Sequence, residues 1–166
     1  MQGGFWMKDS RESLVEKLLI ANYEKYYRLA FSYVHNEADA LDIVQEGAYK
    51  AILKWETLEH EAYAGSWIYR IMLNEIFSML RKQSRTGITI TTMDQLEEEP
   101  AEEPFDSLPL REALERLSPR DKALIELRYF EDMKLEEIAE ALNENLSTVK
   151  SRLYRCLQKL KLSMEE

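Results

Sequence analysis

The chain has 166 residues, of which 45% are hydrophobic, with 5 glycines, 4 prolines and 1 cysteine. That length allows one domain or two small ones with modest helical cores, and no apolar run approaches the roughly 20 residues of a membrane span. The net charge of −9 weighs against nucleic acid only as an average, because the charge is segregated along the chain.

Few segments alternate with period two, so the expected fold is all-α. Three parts are expected: a helical domain over residues 1–83, a flexible acidic linker over 84–108, and a second helical domain over 109–166. The first ten residues lack a basic stretch followed by an apolar one, which excludes a signal peptide and points to the cytoplasm. From Leu14 through Leu18, Tyr23, Tyr26, Tyr27, Ala30 and Phe31 to Val34 runs a long apolar stripe, broken at His35–Glu37. A second helix follows over Ala38–Trp55, with Ala40, Ile43, Val44, Ala48, Ala51 and Ile52 inward. Asp42, Gln45 and Glu46 stand at i, i+3 and i+4, hence on one outer face. A loop over Glu56–Ala64 then leads to a third helix from Gly65 to about Lys82. Trp67, Tyr69, Arg70, Asn74, Phe77, Arg81 and Lys82 mix aromatic, polar and basic groups along it.

The linker assignment rests on composition. Thr86–Thr92 is polar and β-branched. Between Ile88 and Leu110 stand seven acids (Asp94, Glu97, Glu98, Glu99, Glu102, Glu103 and Asp106) without a basic side chain. Such a stretch buries too little apolar surface to fold alone, and its like charges extend it.

In the last third, Leu110, Ala113, Leu114 and Leu117 recur at helical spacing. Ser118–Pro119 reads as an N-cap followed by proline in the first helical position, with Asp121 suited to the positive helix end. Ala123, Leu124, Leu127, Tyr129 and Phe130 are expected core, and 130–134 turn the chain. Leu135–Leu142 and Thr148–Leu160 are two amphipathic runs joined by the break Asn143–Ser147, the pattern of a helix-turn-helix. Leu135, Ile138, Ala139 and Leu142 form the inner face of the first run. Val149, Leu153, Leu157 and Leu160 form that of the second. Lys150, Ser151, Tyr154 and Arg155 face outward, with Arg152 and Lys159 beside them. Five basic side chains and no acid lie between Thr148 and Leu162. Such a helix can enter the major groove, read base edges and neutralise phosphates. Cys156, being single, forms no internal disulfide and no metal site, and is expected as a small packing residue.

Two separate blocks resemble bacterial sigma factors. Ala40–Ala51 (ALDIVQEGAYKA) and Trp67–Asn74 (WIYRIMLN) resemble sigma region 2. Leu117–Asp121 (LSPRD), Leu135–Ala139 (LEEIA) and Thr148–Arg155 (TVKSRLYR) resemble region 4. Two such blocks with a short linker and nothing like region 3 resemble the extracytoplasmic-function (ECF) group of the sigma-70 family. The wording is similar to envelope-stress members from low-GC Gram-positive bacteria.

The resemblance implies a role for each group of residues. Asp42, Gln45 and Glu46 would dock on the β′ clamp of core RNA polymerase. Trp67, Tyr69, Arg70, Asn74, Arg81 and Lys82 would recognise and open the −10 element, with the loop at 56–65 capturing a flipped base. Arg128, Lys150, Ser151, Tyr154 and Arg155 would contact the −35 element. The turn has Asn143 where the family often has glycine, and asparagine tolerates the left-handed conformation. The resemblance also implies contact with the β flap and a membrane-anchored anti-sigma factor. No cofactor, metal, catalytic residue or small-molecule substrate is expected. The acidic linker is expected to enter the RNA path of polymerase, mimicking nascent RNA. The competing reading is a helix-turn-helix regulator that binds DNA without polymerase. It accounts for the last third but not for Asp42, Gln45 and Glu46. An enzyme is disfavoured, because His35 and His60 are isolated and no glycine-rich phosphate loop is present.

Overall fold

The structure, a computed structural model, describes residues 8–86 and 108–165. Every regular element among them is helical, and they fall into two compact units, divided between Gln95 and Leu96. Residues 87–107, which hold most of the expected linker and all seven of its acids, lie outside the described residues.

The first unit contains α1 (Ser10–Ala21), α2 (Tyr23–Val34), α3 (Glu37–Leu53) and α4 (Ala64–Thr86). Asp9 caps α1 by accepting from the Arg11 amide at 2.8 Å. The apolar stripe read as continuous from Leu14 to Val34 is interrupted at Asn22, which leaves the helical conformation at φ −115°. The break resets the face, so Tyr23 is exposed while Tyr26, Leu29, Ala30, Phe31, Tyr33 and Val34 are buried. His35 ends α2 in the left-handed region at φ 52°, and Asn36 starts α3 by accepting from the Asp39 amide at 2.9 Å.

Helices α2, α3 and α4 pack on one another, and α1 lies against α3 and α4. Gly47 permits the close approach of α3 to α4: a Cβ there would stand 2.5 Å from the Met72 sulfur. At the rim of this contact Lys50 pairs with Glu75 at 2.5 Å, and the Gln83 amide donates to Asp39 at 3.2 Å. Helix α4 runs one turn beyond the expected end near Lys82. Ile52, expected inward, is exposed, because one residue past buried Ala51 rotates it about 100° away from α4.

The second unit contains α5 (Leu108–Glu115), α6 (Pro119–Ile125), α7 (Leu135–Leu142) and α8 (Leu146–Glu165). Ser118 caps α6 as expected, its hydroxyl accepting from the Asp121 amide at 3.2 Å with proline following. After α6 the chain makes a π-helical turn over Glu126–Phe130, then reverses at Asp132, φ 56°. Met133 is buried by that reversal while Tyr129, expected in the core, is exposed. Glu137 accepts from the Lys134 amide at 2.8 Å and so closes the start of α7. Asn143 ends α7 in the left-handed conformation, φ 56° and ψ 47°, so the turn expected to tolerate asparagine does so. Asn145 starts α8 by accepting from the Thr148 amide at 2.9 Å. Helix α8 packs against α5, α6 and α7 through Val149, Cys156 and Leu160.

Candidate functional site

Three surfaces collect the residues singled out by sequence. The first is the outer stripe of α3. Asp42, Gln45 and Glu46 are all exposed there, one turn apart, and Asp42 and Glu46 line a shallow cleft with Glu75, Ser78, Met79 and Lys82 of α4. Tyr49 and Leu53 continue the same stripe with 59% of each side chain's surface open. Sequence reading missed these two. The signal was their spacing from Asp42 and Glu46, at i+7 in each case, on the arc facing away from Ala40, Ile43, Val44 and Ala51.

The second surface is the outer stripe of α4. Trp67, Arg70, Asn74 and Arg81 follow at steps of three, four and seven residues and therefore lie along one side of the helix, while Lys82, one residue past Arg81, sits at its edge and also borders the cleft with α3. Asn74, Arg81 and Lys82 are exposed, while Trp67 and Arg70 are half-buried. Arg85, not singled out earlier, extends the basic end of the stripe and is exposed. Tyr69 departs from expectation. It is buried, its ring set edge-on to Tyr26 at 5.2 Å between centroids, so it is committed to the core and offers no face to a base. Tyr69 is two residues from Trp67, which places it on the far side of the helix.

The third surface is the outward face of α8. Lys150, Ser151, Tyr154 and Arg155 are exposed, Tyr154 to 66%. The Ser151 hydroxyl donates to the Ser147 carbonyl at 2.9 Å, leaving its lone pairs outward. Arg128, on the π-helical turn that follows α6, is half-buried. It donates to the Met133 carbonyl at 3.0 Å and lies 5.9 Å from the Tyr129 ring, holding the reversal before α7.

Arg152 was expected as a flanking base on the outward side. Instead it points inward and is 14% exposed. It pairs with Asp121 at 2.6 Å and with Glu144 in the turn. Glu144 also accepts from Arg120 at 2.7 Å, and Arg120 donates to the Leu142 carbonyl at 2.6 Å. Four charged groups thus join the start of α6, the turn and α8. Burial pushes the Asp121 carboxyl up, but the Arg152 hydrogen bonds and charge, with Ser118, outweigh it and hold the group below its usual range. Burial, aided by Asp121, pushes the neighbouring Cys156 thiol up. Cys156 takes the inner position expected of Leu157, which is exposed. The inner face of α8 is therefore Val149, Arg152, Cys156 and Leu160.

The second unit is thus a helix-turn-helix with a basic outer face, and the first bears an acidic stripe and an aromatic–basic stripe. Two family models match the chain: sigma-70 region 2 over residues 18–86 and sigma-70 region 4 over 107–160. RNA polymerase sigma factor SigV of Bacillus subtilis is 40% identical over 157 residues, spanning 95% of each chain. The sigma-E factor of Streptomyces coelicolor is 29% identical over 150 residues, 88% of this chain and 83% of its own. The sigma factor RpoE, solved with the anti-sigma factor NepR from Bartonella quintana, shares the fold. It has a TM-score of 0.73 at 24% identity, over 90% of this chain and 96% of that one. CnrH, solved with the cytosolic domain of CnrY, gives a TM-score of 0.63 at 17% identity, over 95% and 98%. The chain belongs to the sigma-70 family of RNA polymerase sigma factors, in its ECF group. Members of this family are initiation factors and not enzymes. Among the described residues no helix is long and apolar enough to cross a membrane.

Proposed function

We propose that the chain recruits core RNA polymerase through Asp42, Gln45 and Glu46 and reads promoters through two separate elements. The −10 element is met by Trp67, Arg70, Asn74, Arg81 and Lys82. The −35 element is met by Lys150, Ser151, Tyr154 and Arg155, with Arg128. The observation that carries this reading is the pairing, in one unit, of an exposed acidic stripe with a second stripe in which half-buried Trp67 and Arg70 lead to exposed Asn74, Arg81 and Lys82. An independent DNA-binding regulator has no use for the first of these. Carboxylates and an amide on one helical face suit an arginine-rich partner such as the β′ clamp. Trp67 supplies the aromatic surface, worth roughly 1–3 kcal/mol for each base that stacks on it. Each unit alone binds weakly. Polymerase, engaged by both units through the clamp and the flap, sets the spacing between them.

The chain acts in the cytoplasm, in a response to envelope stress. A membrane-anchored anti-sigma factor holds it inactive; that an anti-sigma partner exists is supported by the similar fold of RpoE, solved with the anti-sigma factor NepR. Residues 84–108 link the units, and their acids enter the RNA path.

Runoff transcription tests the reading. Bacterial core polymerase is incubated with and without the chain on a library of promoter fragments, beside the double variant Asp42→Arg, Glu46→Arg. Chain-dependent initiation at a narrow promoter class, lost in the variant, is expected. A folded chain that shifts promoter DNA without core and initiates nothing with it would overturn the reading in favour of the independent regulator.

A further inference from the structure

The loop between α3 and α4 is held from outside by the start of α1. The Arg11 guanidinium donates from Nη1 to the Leu58 carbonyl at 2.9 Å and to the Glu56 carbonyl at 3.2 Å. It lies 5.1 Å from the centre of the Trp55 ring. Asp9 fixes the other edge of the fork, accepting from Nε at 3.2 Å. One residue earlier, the Ser10 hydroxyl donates to the Glu61 carboxylate at 2.7 Å. From inside, Leu58 is anchored in the core at 2% exposure. Between these anchors Glu59, His60, Glu61 and Ala62 stand exposed in a short rise that ends on the first turn of α4, three residues before Trp67 at its nearest.

This arrangement fixes the loop more firmly than its composition suggests. Two backbone carbonyls that would otherwise take water are bound by one planar cation, and that cation is itself held by a carboxylate and an aromatic face. A lysine, with a single ammonium on a flexible stem, cannot reproduce the fork. Arg11 also precedes residues 18–86, the stretch matched to sigma region 2.

We propose that Arg11, assisted by Ser10, is a positioning residue for −10 recognition: it holds the 56–62 loop in place ahead of the first turn of α4, where that loop and Trp67 take an unstacked base. The inference rests on the promoter reading above. Arg11 itself touches no DNA. Its removal leaves recruitment and −35 contact intact and loosens the loop.

The test is a transcription selection. Holoenzyme is assembled from core polymerase and the wild-type chain, or Arg11→Ala, Arg11→Lys, Ser10→Ala or, as a control on exposed α1 surface, Lys17→Ala. Each transcribes a promoter library randomised at both elements, and the transcripts are sequenced. Arg11→Ala is expected to lower discrimination among bases at one or two −10 positions about tenfold, the effect of one lost charge-assisted hydrogen bond, with −35 preferences unchanged. Arg11→Lys recovers less than half of that loss, and Lys17→Ala matches wild type. Ser10→Ala, which removes one exposed hydroxyl and does not threaten folding, lowers −10 discrimination about twofold. Preferences unchanged at both elements in Arg11→Ala, or falling equally at both, overturn the proposal. Where circular dichroism shows Arg11→Ala unfolded, Ser10→Ala decides by the same criterion. A wild-type chain that initiates nothing with matched core overturns the promoter reading itself, whereas an active wild type with indifferent variants overturns the clamp alone.

Discussion

Replacing Arg152 by alanine is expected to unfold the second unit selectively. Arg152 makes three hydrogen bonds to two carboxylates, and its partners Asp121 and Glu144 are only 20% and 17% exposed. Glu144 keeps Arg120 when Arg152 is lost, whereas Asp121 keeps no arginine. A fully buried carboxylate stripped of its cation costs about 3–5 kcal/mol. Residual exposure and the surviving Arg120 pair reduce this to about 2–3 kcal/mol. For a unit of this size that corresponds to a fall of about 10–20 °C in melting temperature. No tryptophan falls in residues 96–166, and Trp55 and Trp67 lie in the first unit, so fluorescence does not follow the second unit while circular dichroism follows both. The expected result is an earlier second transition by circular dichroism with the fluorescence transition unmoved. The pH dependence has a definite sign. Asp121 titrates below its usual range in the folded chain, so its contribution is complete above that range and is lost as pH falls through the lowered value. The gap between wild type and variant therefore narrows as pH is taken from 7 to about 3. A gap under about 3 °C at pH 7, or equal shifts in both signals, would refute the assignment of Arg152 to the interior.

Four further outcomes are expected. Tyr69→Ala should destabilise the first unit by about 3–5 kcal/mol in urea unfolding followed by tryptophan fluorescence. Trp67→Ala should leave stability within about 1 kcal/mol but weaken holoenzyme binding to single-stranded −10 DNA roughly tenfold. Asn143→Gly should be neutral in thermal unfolding, whereas Asn143→Val should cost about 1–2 kcal/mol, because a β-branched residue resists the left-handed backbone. The Cys156 thiol should react with a soluble disulfide reagent at pH 8 only in denaturant. Burial hides it and holds it protonated, and rapid labelling of the folded chain would contradict its place in the core.

What sequence alone determined here is local. Helical spacing within a single helix set Asp42, Gln45 and Glu46 on one face, and Lys150, Ser151, Tyr154 and Arg155 on another. Short-range capping chemistry placed Ser118 before Pro119 and a left-handed residue at Asn143. Each of these depends on side chains three or four positions apart, whose relation is fixed as soon as the helix forms. Tertiary structure decided which arc of each helix meets a neighbour. Periodicity orders the residues of α8 but does not choose between Cys156 and Leu157 for the interior, nor show that a charged Arg152 joins them there. That choice follows from Asp121, 31 positions away, and from Glu144 across the turn. Tyr69 and Trp67 are equally aromatic in sequence, and it is packing against other helices, Tyr26 among the contacts, that sets the first in the core. Arg11 meets its carbonyl partners 45 and 47 residues later. Backbone carbonyls carry no residue identity, so no pattern in the sequence announces a cation that binds them.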